Sequence, residues 1–552
     1  MKKLLTLLVA ISLMLFALTG CDIINNIIGG GNNGGNGGNN GGGGNPAYDD
    51  TKCSEGLAFA IDDSGNYAVS GYTGEDETVY VPASYEGKPV VSIATNAFKN
   101  NAVATRLYLP QTITSICTKA FENASALTSV IFYEEPETFT IGASAFSGCS
   151  SLKNFTIPAS TYRIGSKAFG GCSKLQTIEG AVTYVGKWAV ACDTNESSGS
   201  VKTGTVGIAD TAFTGCSFAS ITLPSTLKYI GDTAFMRASQ LTSVTVPASG
   251  ALEVIGKEAF AECSALTSVQ LSAKIKTIGE KVFFKCPSLE TLTIPENSET
   301  FSSPKNAFLV DKTTKTLVFA CHRLGTTIPN DGSIEYIGAY AFFENTLFQG
   351  PTFPASIKGI GEYAFSRATK ITEFNVPANA ALEYIGDFAF YKASLRTMTF
   401  GEGSKLREIG NEAFRDANIS RFAIPASVEK LGTYCLANNW SMIKVTFDEG
   451  CQLTKIPEGF LYAVSGVKEI YIPDSVTTIG KAAFYGLYNL VSVYIPDTVT
   501  TIEGGAFDHF TGHEYKMMPT LYCEAVDKPA GWAENWVTEK VLAEVVWGYV
   551  GT

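Results

Sequence analysis

The sequence predicts a β-rich repeat solenoid, a stack of short coils without long helices. Three observations predict it. A phrase close to Ile-Gly-x-x-Ala-Phe recurs eighteen times along the 552 residues. Sixteen of the seventeen intervals between its copies are 21 to 25 residues long. Each copy follows, at a nearly constant phase, a short alternating apolar stretch that often ends in proline.

The clearest copies end at Phe146, Phe169, Phe235, Phe260, Phe342, Phe390 and Phe484. Degenerate ones end at, among others, Val190, Phe308, Leu436 and Leu461, and the interval from Phe308 to Phe342 is 34 residues. A period of roughly 20–29 residues is the signature of a leucine-rich-repeat solenoid. The expectation is therefore 18 coils of about 23–25 residues, sharing a long parallel β-sheet.

The unit from Leu241 to Ser264 illustrates why. Leu241, Val244 and Val246 alternate with Ser243 and Thr245, the period of a strand buried on one face. Pro247 ends that strand because it has no amide to donate to the ladder. Leu252, Val254 and Ile255 form a second buried edge, Gly256 makes the turn, and Ala259 and Phe260 fill the centre. A coil this short cannot bury its own apolar faces, so its neighbours must cover them. Three residues after the phenylalanine stands a small residue: Cys149, Cys172, Cys216, Cys263 and Cys286, or Ala124, Ala238, Ala368, Ala393 and Ala417. Free interchange of cysteine with alanine argues for packed thiols rather than metal ligands or a disulfide ladder.

The pattern L-x-x-I-x-I-P-x-x-L-x-x-I-G-x-x-A-F-x-x-C, over about residues 57 to 540, resembles that of the BspA-like leucine-rich-repeat proteins, a large family of microbial surface proteins. The resemblance implies a right-handed parallel solenoid that acts in adhesion or ligand binding, with no catalytic residue in the shared motif.

The front of the chain reads as an export signal. Lys2 and Lys3 precede an apolar run from Leu4 to Leu18, too short and wrongly flanked for a permanent membrane helix. Leu18-Thr19-Gly20-Cys21 resembles a bacterial lipobox, which implies lipidation of Cys21. Surface exposure is the expected outcome. Asp22 keeps an inner-membrane, periplasm-facing placement open, because an aspartate after the lipidated cysteine resembles a retention signal. From Gly29 to Asn45 the chain is only glycine and asparagine, a composition that buries nothing and suits a disordered tether.

The chain accordingly divides into a signal peptide (1–20), the lipidated cysteine and tether (21–46), and an N-terminal cap with a β-hairpin (47–97). The solenoid follows (98–510, with a hairpin insertion at about 307–321), then a C-terminal cap (511–552) rich in tryptophan.

The outward strand positions are the candidate contact surface, because such a solenoid creates an extended binding face. Candidate ligand-binding residues are Thr245, Gln270, Thr293, Glu373, Asn375, Glu469, Tyr471, Ser492 and Tyr494. The tyrosines suit sugar stacking or a protein hot spot. The expected partners are the membrane, through the lipid, and a protein or glycan of a host or neighbouring cell.

A net charge of −12 excludes a nucleic-acid binder, which needs a basic stripe to displace counterions. Catalysis has little material: the three histidines are His322, His509 and His513. The grouping of His509, His513, Glu514 and Cys523 matches no zinc signature, so no metal, cofactor or catalytic residue is expected. Two rival readings remain, a scaffolding lipoprotein facing the periplasm and an enzyme built on the C-terminal histidines.

Overall fold

The computed structural model describes residues 52–350, 353–508, 519–537 and 543–550. The signal peptide, Cys21, the Gly/Asn tether, His509 and His513 lie outside the described residues. The fold is a β-solenoid of parallel strands, and no α-helix occurs among the described residues. The chain forms two compact units. The first runs through Leu241 and adds Gly250–Cys263 and Thr277–Val282; the second takes Thr242–Ser249, Ser264–Lys276 and everything from Phe283 onward.

In the first unit each coil contributes strands to two columns rather than one. One column holds the alternating strands: Thr78–Tyr80, Arg106–Leu109, Ser129–Phe132 and Asn154–Phe155 pair in parallel. The other is a two-residue edge ending on the isoleucine of the repeat phrase. There Ile230 pairs with Ile255, and Ile255 with Ile278, with no slip of register.

The third wall is a run of turns whose amides alternate in direction. Thr233, Phe235 and Arg237 donate to Lys257, Ala259 and Ala261 of the next coil at 2.8, 2.7 and 2.9 Å. Between them Met236 and Ala238 donate back to Thr233 and Phe235, both at 3.1 Å. The amides of Thr233, Phe235, Met236, Arg237 and Ala238 thereby all find partners, as burial demands. The alternation needs left-handed residues, here Thr233 (φ 51°) and Arg237 (φ 60°).

The phenylalanines form a central stack. Tyr72, Phe98, Phe121, Phe146 and Phe169 follow one another at centroid separations of 5.4, 5.0, 5.1 and 5.5 Å. The cysteine column lies beside the stack and is buried; burial pushes the Cys149 and Cys172 thiols up to about 12.

Two copies of the phrase are not coils. The copy ending at Val190 belongs to an antiparallel meander of Thr177–Glu179, Val182–Val185 and Trp188–Cys192. The reading of that segment as a coil is thus corrected. Its V-T-Y-V and W-A-V alternation is the same period that coil strands show, and Gly180 and Gly186, both left-handed, turn it back on itself. The third strand replaces the isoleucine edge: Trp188 and Ala189 pair in parallel with Gly207 and Ile208. Asp210 N donates to Ile164 O at 2.8 Å, so the coils before and after the meander are joined directly. Arg163 reinforces this join by donating to the buried Asp210 carboxylate at 2.9 and 3.1 Å.

The second unit repeats this plan. Its meander is Phe301–Ser302, Phe308–Asp311 and Thr316–Ala320, and Leu317 pairs with Ile337 of the following coil. Phe342, Phe365, Phe390 and Phe414 stack at 4.7, 5.1 and 5.2 Å. Leu436 and Leu461 hold the same slot, fully buried. At the C-terminal end Trp536 meets Phe507 edge-on at 5.8 Å, and Trp532 donates its Nε1 to Val499 O at 3.0 Å.

Candidate binding face

The outward positions of the alternating strands stand in register, one row per strand position. In the second unit Thr245, Gln270 and Thr293 are direct cross-strand neighbours. Glu373 and Asn375 lie on a separate sheet, where Thr399 Oγ1 donates to Asn375 Oδ1 at 2.7 Å. Glu469, Tyr471, Ser492 and Tyr494 lie on a third, the strands Glu469–Tyr471 and Ser492–Ile495 pairing in parallel. The nine candidates therefore share a strand phase without converging on one spot. Ser492 departs from its expected exposure and is buried, because its short side chain sits between its cross-strand neighbours Glu469 and Thr520.

One row stands apart. Tyr471, Tyr494 and Tyr522 stack face to face at 4.4 and 4.9 Å, with interplanar angles of 4° and 9°. Tyr549 leans across Tyr522 at 4.8 Å. Tyr471 is 60% exposed, a large amount for an ordered aromatic ring. The rings line a groove of about 380 Å³ together with Asp474, Pro496 and Glu524. A hydrogen bond to Tyr494 holds the Tyr471 hydroxyl protonated above its ordinary range.

Rings laid on one another cover their shared faces, so the inner part of the ladder presents edges and a line of hydroxyls, while Tyr471 at its end stays exposed. With two carboxylates on its wall, the groove suits a ligand that donates hydrogen bonds and carries positive charge.

The first unit has a ladder of its own, Tyr80, Tyr108 and Tyr133, at 5.0 and 5.3 Å. Lys52 lies 3.6 Å from the Tyr80 ring centroid. Sequence reasoning missed Tyr80, Tyr108 and Tyr522, although each occupies the same outward place in T-V-Y-V, R-L-Y-L and T-L-Y-C. Tyr549 had no such signal, since it follows the last strand rather than standing in one.

Among the described residues no group of three or more His, Cys, Asp or Glu is placed to hold a metal ion. His322 is 4% exposed and its Nδ1 has no hydrogen-bond partner. Burial depresses its pKa to about 4, so the ring is neutral at pH 7 and sits as core. The unfolded chain, with an ordinary histidine near 6.5, binds the proton more readily. Stability is therefore complete above pH 6.5 and falls as pH drops from there toward 4. At pH 4.5 the loss reaches about 2–3 kcal/mol. Melts of wild type and His322→Leu at pH 7 and 4.5 check this: the variant should lose less stability on acidification by that amount.

A family model described as the BspA type leucine rich repeat region, six copies long, matches residues 91–198, 192–315, 315–406 and 383–513. The chain belongs to this family. The matched stretches run from 91 to 513 and include both meanders. Among solved structures, the pneumococcal vaccine antigen PcpA is 17% identical over 90% of this chain and 98% of its own, with a TM-score of 0.38. A leucine-rich repeat protein from Bacteroides ovatus is 19% identical over 90% and 99%, with a TM-score of 0.35. A leucine rich cell surface protein from Faecalibacterium prausnitzii is 20% identical over 91% and 98%, with a TM-score of 0.26. No curated protein matches the chain.

Proposed function

We propose that this chain is a lipid-anchored surface protein that binds a protein ligand through the outward face of its alternating strands. The tyrosine ladder Tyr471–Tyr494–Tyr522 is the centre of that site, and it is the observation that carries the reading. Interface hot spots are enriched in tyrosine, whose rigid ring gives contact area at small entropic cost. Asp474 and Glu524 favour a ligand segment with a lysine or arginine, in keeping with a net charge of −12. Membership in a family of surface repeat proteins supports binding over catalysis. The sequence Leu18-Thr19-Gly20-Cys21 supports the anchor.

The test is a paired array of immobilised basic peptides, neutral peptides and neutral glycans, probed with the chain from Asn45 onward. Basic peptides should be retained, and Tyr471→Ala with Tyr494→Ala should weaken retention about tenfold or more, the cost of losing a hot-spot ring. Retention by neutral glycans alone, unaffected by these substitutions, would refute the protein-ligand reading. Anchoring is tested separately by labelling cells with an alkyne fatty acid: wild type should take up label and Cys21→Ala should not. Protease shaving of intact cells then distinguishes surface display from the periplasmic placement that Asp22 keeps open.

A further inference from the structure

The first meander ends on Cys192, and the coil it pairs with carries Cys216. The two segments run side by side. Ala209 N donates to Ala189 O at 2.9 Å, and Ser217 Oγ donates to Thr194 O at 2.8 Å. Between these two anchor points lie Cys192, half-buried, and Cys216, buried.

Elsewhere the column thiol points at the phenylalanine carbonyl of the preceding coil. Cys149, Cys172 and Cys263 donate to Phe121, Phe146 and Phe235 carbonyls at 3.0, 3.0 and 3.1 Å. For Cys216 the matching acceptor is the Phe169 carbonyl, which Gln176 Nε2 already occupies at 2.8 Å. The segment beside Cys216 is the one that carries Cys192. We propose that Cys192 and Cys216 close to a disulfide when the chain meets an oxidising compartment, a step that rests on the export reading above.

The chemistry balances as a thiol–disulfide exchange. Cys192, the more exposed of the two, attacks one sulfur of an oxidant disulfide as its thiolate and releases one thiol of the oxidant. Cys216 then attacks Cys192 Sγ, forming the protein disulfide and expelling the oxidant's second thiol. Two protein thiols lose two electrons and two protons, and the oxidant gains both.

The second meander supplies an internal control. Cys321 follows its third strand as Cys192 ends that of the first, but the residue three places after Phe342 is Asn345. Its Nδ2 donates to Cys321 O at 3.2 Å, so a side-chain amide stands where Cys216 does. Cys321 is expected to stay a free thiol.

The experiment is peptide mapping of the full chain, secreted from a host with an oxidising periplasm and alkylated before and after denaturation. The expected result is a Cys192–Cys216 linked peptide two hydrogens lighter than its parts, with Cys321 alkylated only after denaturation. Melting temperature should fall by several degrees on reduction. Cys216→Ala should abolish that sensitivity and still fold, since Ala238 already fills the slot one coil later. If both thiols are free in the secreted protein, the purified chain is equilibrated with oxidised glutathione. Linkage at that stage supports the pairing and means that the host periplasm had not oxidised the chain; export itself is read from the fatty-acid label. Two thiols that stay unlinked even then overturn it.

Discussion

Replacing Gly480 by alanine should lower the melting temperature, and replacing Ala482 by glycine, two residues further on, should raise it. The two positions belong to one phrase, T-I-G-K-A-A-F, and meet opposite constraints. A Cβ at Gly480 would lie 2.6 Å from Glu458 N and 2.8 Å from the Pro457 carbonyl carbon. Both are backbone atoms of the preceding coil, held by the edge pairing of Ile456 with Ile479, so neither can swing aside as a side chain could. The repeat keeps glycine there for close approach, as it does at Gly410 and Gly432, whose Cβ atoms would come within 2.5 and 2.3 Å of the neighbouring coil. An added methylene forced into such a contact costs about 1–3 kcal/mol. Ala482 has φ of 50°, in the left-handed region where a Cβ is strained. Glycine relieves that strain, for a net gain of roughly 0.5–1 kcal/mol. Denaturant melts of both variants give the answer by sign alone. A stabilised Gly480→Ala would overturn the close-approach account, and a destabilised Ala482→Gly would overturn the account of strain at the left-handed position.

That contrast also marks where the sequence stops being legible. The strand-ending prolines and the phenylalanine spacing announce the coil because they repeat in identity, and Phe235, Phe260 and Pro247 can be placed from them alone. Gly256 is equally conspicuous, yet the turn-making role expected of it belongs to the residue two places later, Glu258, which is left-handed. Thr233, Lys281, Tyr340 and Phe388 fill the same place with φ between 51° and 60°. No residue type marks the position, since neighbouring coils rather than local preference impose the conformation. The first meander was hidden for a related reason. Val182 to Cys192 alternates like a coil strand, and only the direction of pairing tells the two apart. Within the binding face, Tyr471 and Tyr494 were readable from strand phase. Their stacking was not, because it depends on register between coils.

Phe235→Ala is expected to cost about 3–5 kcal/mol, and the damage should stay local. The ring is fully buried between Phe213 and Phe260, each 5.0 Å away and nearly parallel. Removing it leaves a void the stack cannot close. Phe213 and Phe260 are held apart by coil spacing, through Phe213 N to Ala234 O and Phe235 N to Ala259 O, both 2.7 Å. In a solenoid, stability is close to a sum of single-coil and nearest-neighbour terms. Amide exchange should therefore quicken at Phe213, Phe235 and Arg237 while Phe121, whose amide donates to Ala145 at 2.7 Å, keeps its protection. Phe235→Leu separates packing from shape. Leucine already fills the slot at Leu436 and Leu461, fully buried, so this variant should cost well under half as much as alanine. Equal losses from leucine and alanine would mean that ring stacking itself, rather than filled volume, holds the coils together. Uniform loss of protection as far as Phe121 would mean that the first unit melts as a whole, and that its coils are not independent neighbours.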